Sequence, residues 1–183
     1  MGWNSDPLAM VMFDNCIVPK RNLIGKKGEG FKFAMKGLDG GRINIGSCSL
    51  GGAALAINET TKYIQDRKQF GKALSEFQNN QFKLSEMTTK LIASRLMIRN
   101  AARMIDNGSE HKTVHSAMAK YFSTENCFEI ANQAVQMHGG YGYLKDYHVE
   151  RIFRDLRVHM ILEGTNEIMK MIISRNILNN KKI

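Results

Sequence analysis

Glu163 is the residue of this sequence best placed to do chemistry. It follows the apolar run Met160-Ile161-Leu162 and precedes Gly164-Thr165-Asn166, where a helix begins. One carboxylate therefore stands at an apolar approach to a helix N-terminus, beside flexible backbone. Apolar surroundings disfavour its charge and the positive end of the helix favours it, opposed effects that suit a tunable general base. A helix-capping carboxylate would use the same position.

The loop Gly139-Gly140-Tyr141-Gly142 directly follows another helical segment. It has neither the GxGxxG form nor the strand-turn-helix context of a dinucleotide fingerprint. Clustered glycines can still offer backbone N–H groups to a pyrophosphate, while a glycine C-cap is the plainer account. His111 and His115 stand at i, i+4 with no glutamate of an HExxH motif between them and no third ligand nearby. They read as polar helix positions, so no metal is expected. His138 and His159 adjoin the loops and read as hydrogen-bonded structural residues.

Long helices must position these groups. Both prolines, Pro7 and Pro19, fall in the first twenty residues, so nothing later breaks a helix at proline. Phe77, Leu84, Leu91, Ile98 and Ile105 recur every seven residues, with Met87, Ser94 and Ala101 as companions, the seam of an antiparallel bundle helix ended by Asp106-Asn107-Gly108. Arg95, Arg99 and Arg103 make a basic stripe on its other face. Val114, Met118, Tyr121, Phe122, Phe128 and Val135 predict one face of a helix from about 110 to 138. A short helix near 149–157 and a last one from about 165 to 178 follow.

Earlier segments are less regular. LAMVMF and Cys16-Ile17-Val18 predict one or two strands, or else a packed irregular arm. The stretch from Gly28 has helical spacing at Phe31, Ala34, Met35, Leu38, Ile45, Leu55 and Ile64, interrupted by Gly37, Gly40, Gly41, Gly46, Gly51 and Gly52. Each such glycine costs about 1 kcal/mol relative to Ala in a helix interior. Either the stretch breaks into loops or the glycines admit a close backbone or ligand. The fold class expected is all-α, an up-and-down four-helix bundle with a short N-terminal β remnant, divided into residues 1–27 and 28–183.

With 183 residues, 43% hydrophobic and 23% charged, the chain is globular and about one domain long. Twenty-six Lys and Arg against 17 Asp and Glu give +9, but the basic residues are dispersed. Charge alone supports only weak, salt-sensitive nucleic-acid affinity, so no nucleic-acid partner is expected. The 3 cysteines form no CxxC pair and read as free thiols of a reducing compartment. No apolar stretch reaches the roughly 18 residues of a membrane span, and the N-terminus carries no secretory or transit pattern.

Taken together, the motifs resemble the C-terminal helical domain of the acyl-CoA dehydrogenases over nearly the whole chain. FDNCIVPKRNLIGKKGEGF is similar to that family's exit from its middle β-domain, and DRKQFGKALSEFQ to its arginine-aromatic-glycine flavin motif. QMHGGYGY and ILEGTNEIMKMIISR are similar to its C-terminal signature. GGRINIGSCSLGGA and the block from QMHGGYGY to EGTNEI look most like the branch acting on short branched-chain substrates.

The resemblance implies FAD-dependent oxidation of the Cα–Cβ bond of an acyl-CoA, with Glu163 as the base that removes the α-proton. In two branches of the family the base instead sits beside the arginine matching Arg42, where this chain has Gly41. It implies FAD contacts at Arg67, Lys68, Gln69, Phe70, Phe77 and Gln78, in that family largely to the neighbouring subunit's cofactor. It implies an ADP-binding loop at Gln136, Met137, His138, Gly139 and Gly140, and flavin contacts at Thr165, Asn166 and Glu167. The family often has Gln at the last of these positions. Substrate contacts are implied at Asp39, Gly40, Gly41, Arg42 and Gly164.

Also implied are a homo-oligomer, a tetramer or dimer of dimers, and electron-transferring flavoprotein as partner. A role in branched-chain amino-acid (valine) breakdown follows, in the mitochondrial matrix or in a bacterial cytoplasm. The family's N-terminal helical domain and most of its β-domain have no counterpart in these 183 residues, so the chain alone is expected to bind FAD weakly and turn over poorly. The rival expectation is a non-catalytic helical oligomerisation module.

Overall fold

The computed structural model describes residues 1–6 and 8–179. Pro7, expected in the N-terminal β remnant, and the last four residues of the 28–183 unit lie outside the described residues. Five helices follow one another: α1 (Gly30–Asp66), α2 (Gln78–Asp106), α3 (Lys112–His138), α4 (His148–Leu156) and α5 (Asn166–Leu178). Helix α3 is the hub, packed against all four others.

α1 is one continuous helix of 37 residues despite its glycines. Burial explains part of this tolerance. A Cβ on Gly46 would collide with Ile98 of α2, and one on Gly52 would come within 2.9 Å of Leu156 of α4. Close helix approach therefore offsets the lost propensity at these positions, whereas Gly37, Gly40 and Gly51 face open space. α2 follows the expected seam, for Met87, Leu91, Ser94, Ile98 and Ala101 are its buried residues.

α3 differs from the expectation. Its fully buried positions include Ala117, Ala119, Ser123, Cys127, Ala131 and Ala134, while Met118, Tyr121, Phe122, Phe128 and Val135 are only half-buried. A helix enclosed by four neighbours needs small residues at its points of contact, so its large side chains move to the rims. In apolar surroundings the buried Cys127 thiol is pushed up to about 12, hence unreactive.

The expected N-terminal strands are not formed. Residues 8–13 run without ladder partners, with Leu8 99% exposed, because the described residues hold no strand to pair with them. The sheet present is a hairpin between α1 and α2 that the helical reading of this stretch overlooked. Lys68–Gln69 pairs antiparallel with Lys72–Ala73 around Phe70-Gly71, whose φ of 52° and 80° match a tight primed turn.

His159, in the 3-10 turn Arg157–Met160 after α4, is buried, with Nδ1 2.7 Å from Ser49 Oγ of α1. Ser49 donates its own proton to the Ile45 carbonyl, so His159 is the donor of this pair. Burial pushes the imidazole down to about 4 from 6.5, against the pull of Asp155 and with Lys120 adding to the effect. Between those values the unfolded chain takes up a proton that the folded chain refuses, so stability falls as pH drops through the window. At about 1.4 kcal/mol per unit the loss reaches about 3 kcal/mol. His159→Gln is expected to flatten this acid limb in urea melts at pH 7 and pH 4.5. Equal acid sensitivity in both chains would exclude His159 as its source.

Candidate active site

Two places gather the residues singled out from the sequence. The first is the turn leading into α5. Leu162 N donates to Val158 O at 3.0 Å, closing the preceding turn, and Thr165 caps α5 by accepting from Ile168 N at 3.4 Å. Between them Glu163 and Gly164 are successive left-handed residues, φ 58° and 91°. Glycine adopts this freely, but a glutamate there costs about 1 kcal/mol or more, so the surroundings must hold it.

That backbone aims the Glu163 side chain at α1. Its carboxylate lies over Gly41 so closely that a Cβ there would overlap Glu163 Oε2. On the same stretch of α1, Arg42 Nη1 donates to Asp39 Oδ1 at 2.9 Å, and Thr113 Oγ1 of α3 donates to Asp39 Oδ2 at 2.7 Å. Arg42 is 5% exposed, and its Nε is buried without a partner among the described residues. A half-buried carboxylate thus sits against a helix face without side chains, next to a braced guanidinium holding a donor in reserve. Such an arrangement can accept a proton from an acidic C–H and bond the oxygen atoms of the molecule that bears it.

Beneath the turn lies a residue that the sequence reading missed. Lys120 of α3 is fully buried, and its ammonium donates to Gly164 O at 2.9 Å, Met160 O at 3.1 Å and Asn166 Oδ1 at 2.8 Å. Burial pushes it down to about 8, with Glu167, Glu125 and Glu163 pulling up and Arg42 pushing down, so it is still mostly charged at pH 7. A signal existed in the sequence: Ser116, Lys120 and Thr124 share one helix face at i, i+4, i+8, and all are buried.

Asn166, expected at a flavin contact, turns its side chain inward. It is 2% exposed, and its Nδ2 donates inward to Thr124 Oγ1 at 3.1 Å while its Oδ1 accepts from Lys120. A side chain so occupied braces the turn. Thr165 is half-buried at the cap, and Glu167 is exposed on the first turn of α5, its carboxyl lowered chiefly by a hydrogen bond to its own backbone N–H.

The second place is a cleft of about 450 Å³ where the end of α1 and the hairpin meet the end of α3. It brings together Arg67, Gln69, Gln136, Met137, His138, Gly139 and Gly140. Lys68, Phe70, Phe77 and Gln78 stand beside it on the hairpin and the start of α2, with Phe70 93% exposed at the tip and Phe77 6.4 Å away ring to ring. Gly139 caps α3 with φ 60° and ψ −138°, a conformation that L side chains rarely adopt, and space is open where Cβ atoms of Gly139 and Gly140 would stand.

An aromatic floor, also missed from the sequence, supports this loop. Tyr63 stacks on His138 at 4.3 Å and donates to the His138 carbonyl at 3.2 Å, and Arg67 lies over the Tyr141 ring at 5.4 Å. His138 Nδ1 is 2.7 Å from the Ala134 carbonyl and so carries the proton, while burial lowers the imidazole's affinity for a second one. Bare glycine backbone, an arginine and flat aromatic surface suit an anionic group attached to a planar base. Among the described residues, no group of three His, Cys, Asp or Glu could hold a metal ion, and no helix is long and apolar enough to cross a membrane.

Residues 28–178 match the family described as acyl-CoA dehydrogenase, C-terminal domain. The mitochondrial isobutyryl-CoA dehydrogenase of Bos taurus is 55% identical over 178 residues, covering 97% of this chain and 43% of that protein. The enzyme of the same description from Dictyostelium discoideum is 52% identical, covering 97% and 42%. The solved butyryl-CoA dehydrogenase of Megasphaera elsdenii superimposes with a TM-score of 0.85 at 40% identity, over 88% of this chain and 42% of that one. The chain thus spans less than half the length of these relatives.

Proposed function

The chain belongs to the acyl-CoA dehydrogenase family through that family's C-terminal helical domain, and from this premise we propose that it serves, within an enzyme of the length of its relatives, the oxidation of a short branched acyl-CoA such as isobutyryl-CoA. The observation that carries the reading is the Glu163 carboxylate resting on the bare face of α1 at Gly41, beside the Asp39–Arg42 pair. Glu163 removes the proton α to the thioester carbonyl, and its left-handed backbone fixes the direction of approach. Asp39, Gly40, Gly41, Arg42 and Gly164 form the wall against which the acyl thioester lies. FAD, when bound, supplies the two-electron acceptor that takes the β-hydrogen as hydride. Proton and hydride together leave the 2-enoyl thioester and a protonated Glu163.

The residues present fit that cofactor. Arg67, Gln69 and the open Gly139-Gly140 backbone would hold a diphosphate, and Arg67 and Gln69, with the exposed Lys68, Phe70 and Gln78 and the half-buried Phe77, would face largely the cofactor of a neighbouring subunit. Oligomerisation as a tetramer is part of the proposal. An exposed row on α2, with Ile92 44% and Leu96 61% exposed, supports an interface, and it equally suits the rival reading of a non-catalytic module. The electron acceptor is proposed to be electron-transferring flavoprotein. The compartment is the mitochondrial matrix by analogy with the relatives, or a bacterial cytoplasm. The net charge of +9 suits the phosphates of FAD and CoA.

Anaerobic titration of the full-length, FAD-containing enzyme with isobutyryl-CoA tests the proposal. Bleaching of the flavin absorbance by isobutyryl-CoA is expected at lower concentration than by linear butyryl-CoA. Failure of every acyl-CoA to bleach it favours the non-catalytic module. The 183-residue chain alone is expected to retain FAD poorly.

A further inference from the structure

Lys120 has no counterpart in the mechanism above, and its burial needs a reason. A charged ammonium enclosed with neutral acceptors is costly, and a methionine or leucine would fill the space without that cost. The three groups it bonds, Met160 O, Gly164 O and Asn166 Oδ1, all lie within three residues of Glu163. Its three donors therefore converge on the segment that must hold Glu163 in a left-handed conformation. Asn166 completes the knot, tying α5 to Thr124 of α3. The Lys120 main chain belongs to the hub helix, so the knot refers the position of the turn to the most enclosed element of the domain.

We infer that Lys120 is a positioning residue for the base: by tying the carbonyls on either side of Glu163 and the Asn166 amide to α3, it keeps the carboxylate aimed at the face of Gly41. The inference rests on the reading of Glu163 as base. A loosened turn leaves in place the part of the substrate wall on α1 (Asp39 to Arg42) and the distant cleft, so its main effect falls on the alignment of the proton-accepting oxygen.

The test uses the full-length FAD-containing enzyme with Lys120→Met and Asn166→Ala. Four quantities are read: FAD per subunit, the substrate concentration for half-maximal flavin reduction, the limiting reduction rate per bound flavin, and deuterium exchange of the 161–168 backbone. The limiting rate is expected to fall about 100-fold in Lys120→Met and about 10-fold in Asn166→Ala. The half-saturating concentration should stay within about twofold, and faster exchange should be confined to 161–168. Lower protein yield or FAD content with the parent's rate per flavin would show a merely structural lysine and overturn the inference. If Lys120→Met does not fold, Asn166→Ala decides by the same readings. Glu163→Gln, run in parallel, separates the two ideas. If that variant reduces flavin normally the base assignment itself falls, whereas an inactive Glu163→Gln beside a normal Lys120→Met removes only the present inference.

Discussion

Glu163→Gln is expected to lower the limiting rate of flavin reduction by about 10³- to 10⁴-fold while leaving FAD content unchanged. The amide has the shape of the carboxylate, so it still packs over Gly41 and leaves the left-handed turn and the Thr165 cap intact. What disappears is the capacity to keep a proton. The cleft holding Arg67 and Gly139-Gly140 is built from the far ends of α1 and α3, so it should not register the change. Stopped-flow mixing of the anaerobic full-length enzyme with isobutyryl-CoA measures the effect. Reduction within tenfold of the parent would mean that another group takes the proton.

Gly41→Ala should cost about 100-fold in the same rate, for a reason in packing rather than chemistry. The added methyl would occupy space held by the Glu163 carboxylate, so either the side chain swings away or the 161–165 turn lifts off α1. Alanine also improves helix propensity by up to about 1 kcal/mol at this interior position, so the variant should not be markedly less stable. Impaired turnover without comparable loss of stability is the diagnostic pattern. Gly51→Ala provides the control: the same helix gains the same methyl with no atom within 4 Å, and activity should be unchanged. Equal rates for Gly41→Ala and Gly51→Ala would contradict the placement of the carboxylate.

Some of this site is legible in the residues themselves. The glycine after α3 announces a cap, and in the structure it is one, although the expected loop is wound into a 3-10 turn over Gly139–Tyr143. Glu163, between an apolar run and a helix start, stands out by its neighbours alone. Lys120 does not, because a lysine is ordinarily solvated, and only the convergence of Met160, Gly164 and Asn166 makes it a structural tie. Asn166 is a similar case, for nothing in its motif announces that its amide is occupied inside the bundle. Tyr63 joins the cleft only because α1 continues unbroken to a point where the end of α3 can stack on it.

By itself the sequence determined the helical class, the seam of α2, the ends of the last helices and the motifs that identify the family, since these depend on spacing within a single segment. Only the tertiary structure decided which side of α3 is the core, how α1 carries its glycines, that residues 68–73 turn back as a hairpin, and that Glu163 meets Gly41 from 122 positions away. The physical reason is shared. Periodicity reports where large apolar side chains lie along one helix, but a helix packed against four others is selected for the room it leaves its neighbours, and that requirement is written on the partners' surfaces.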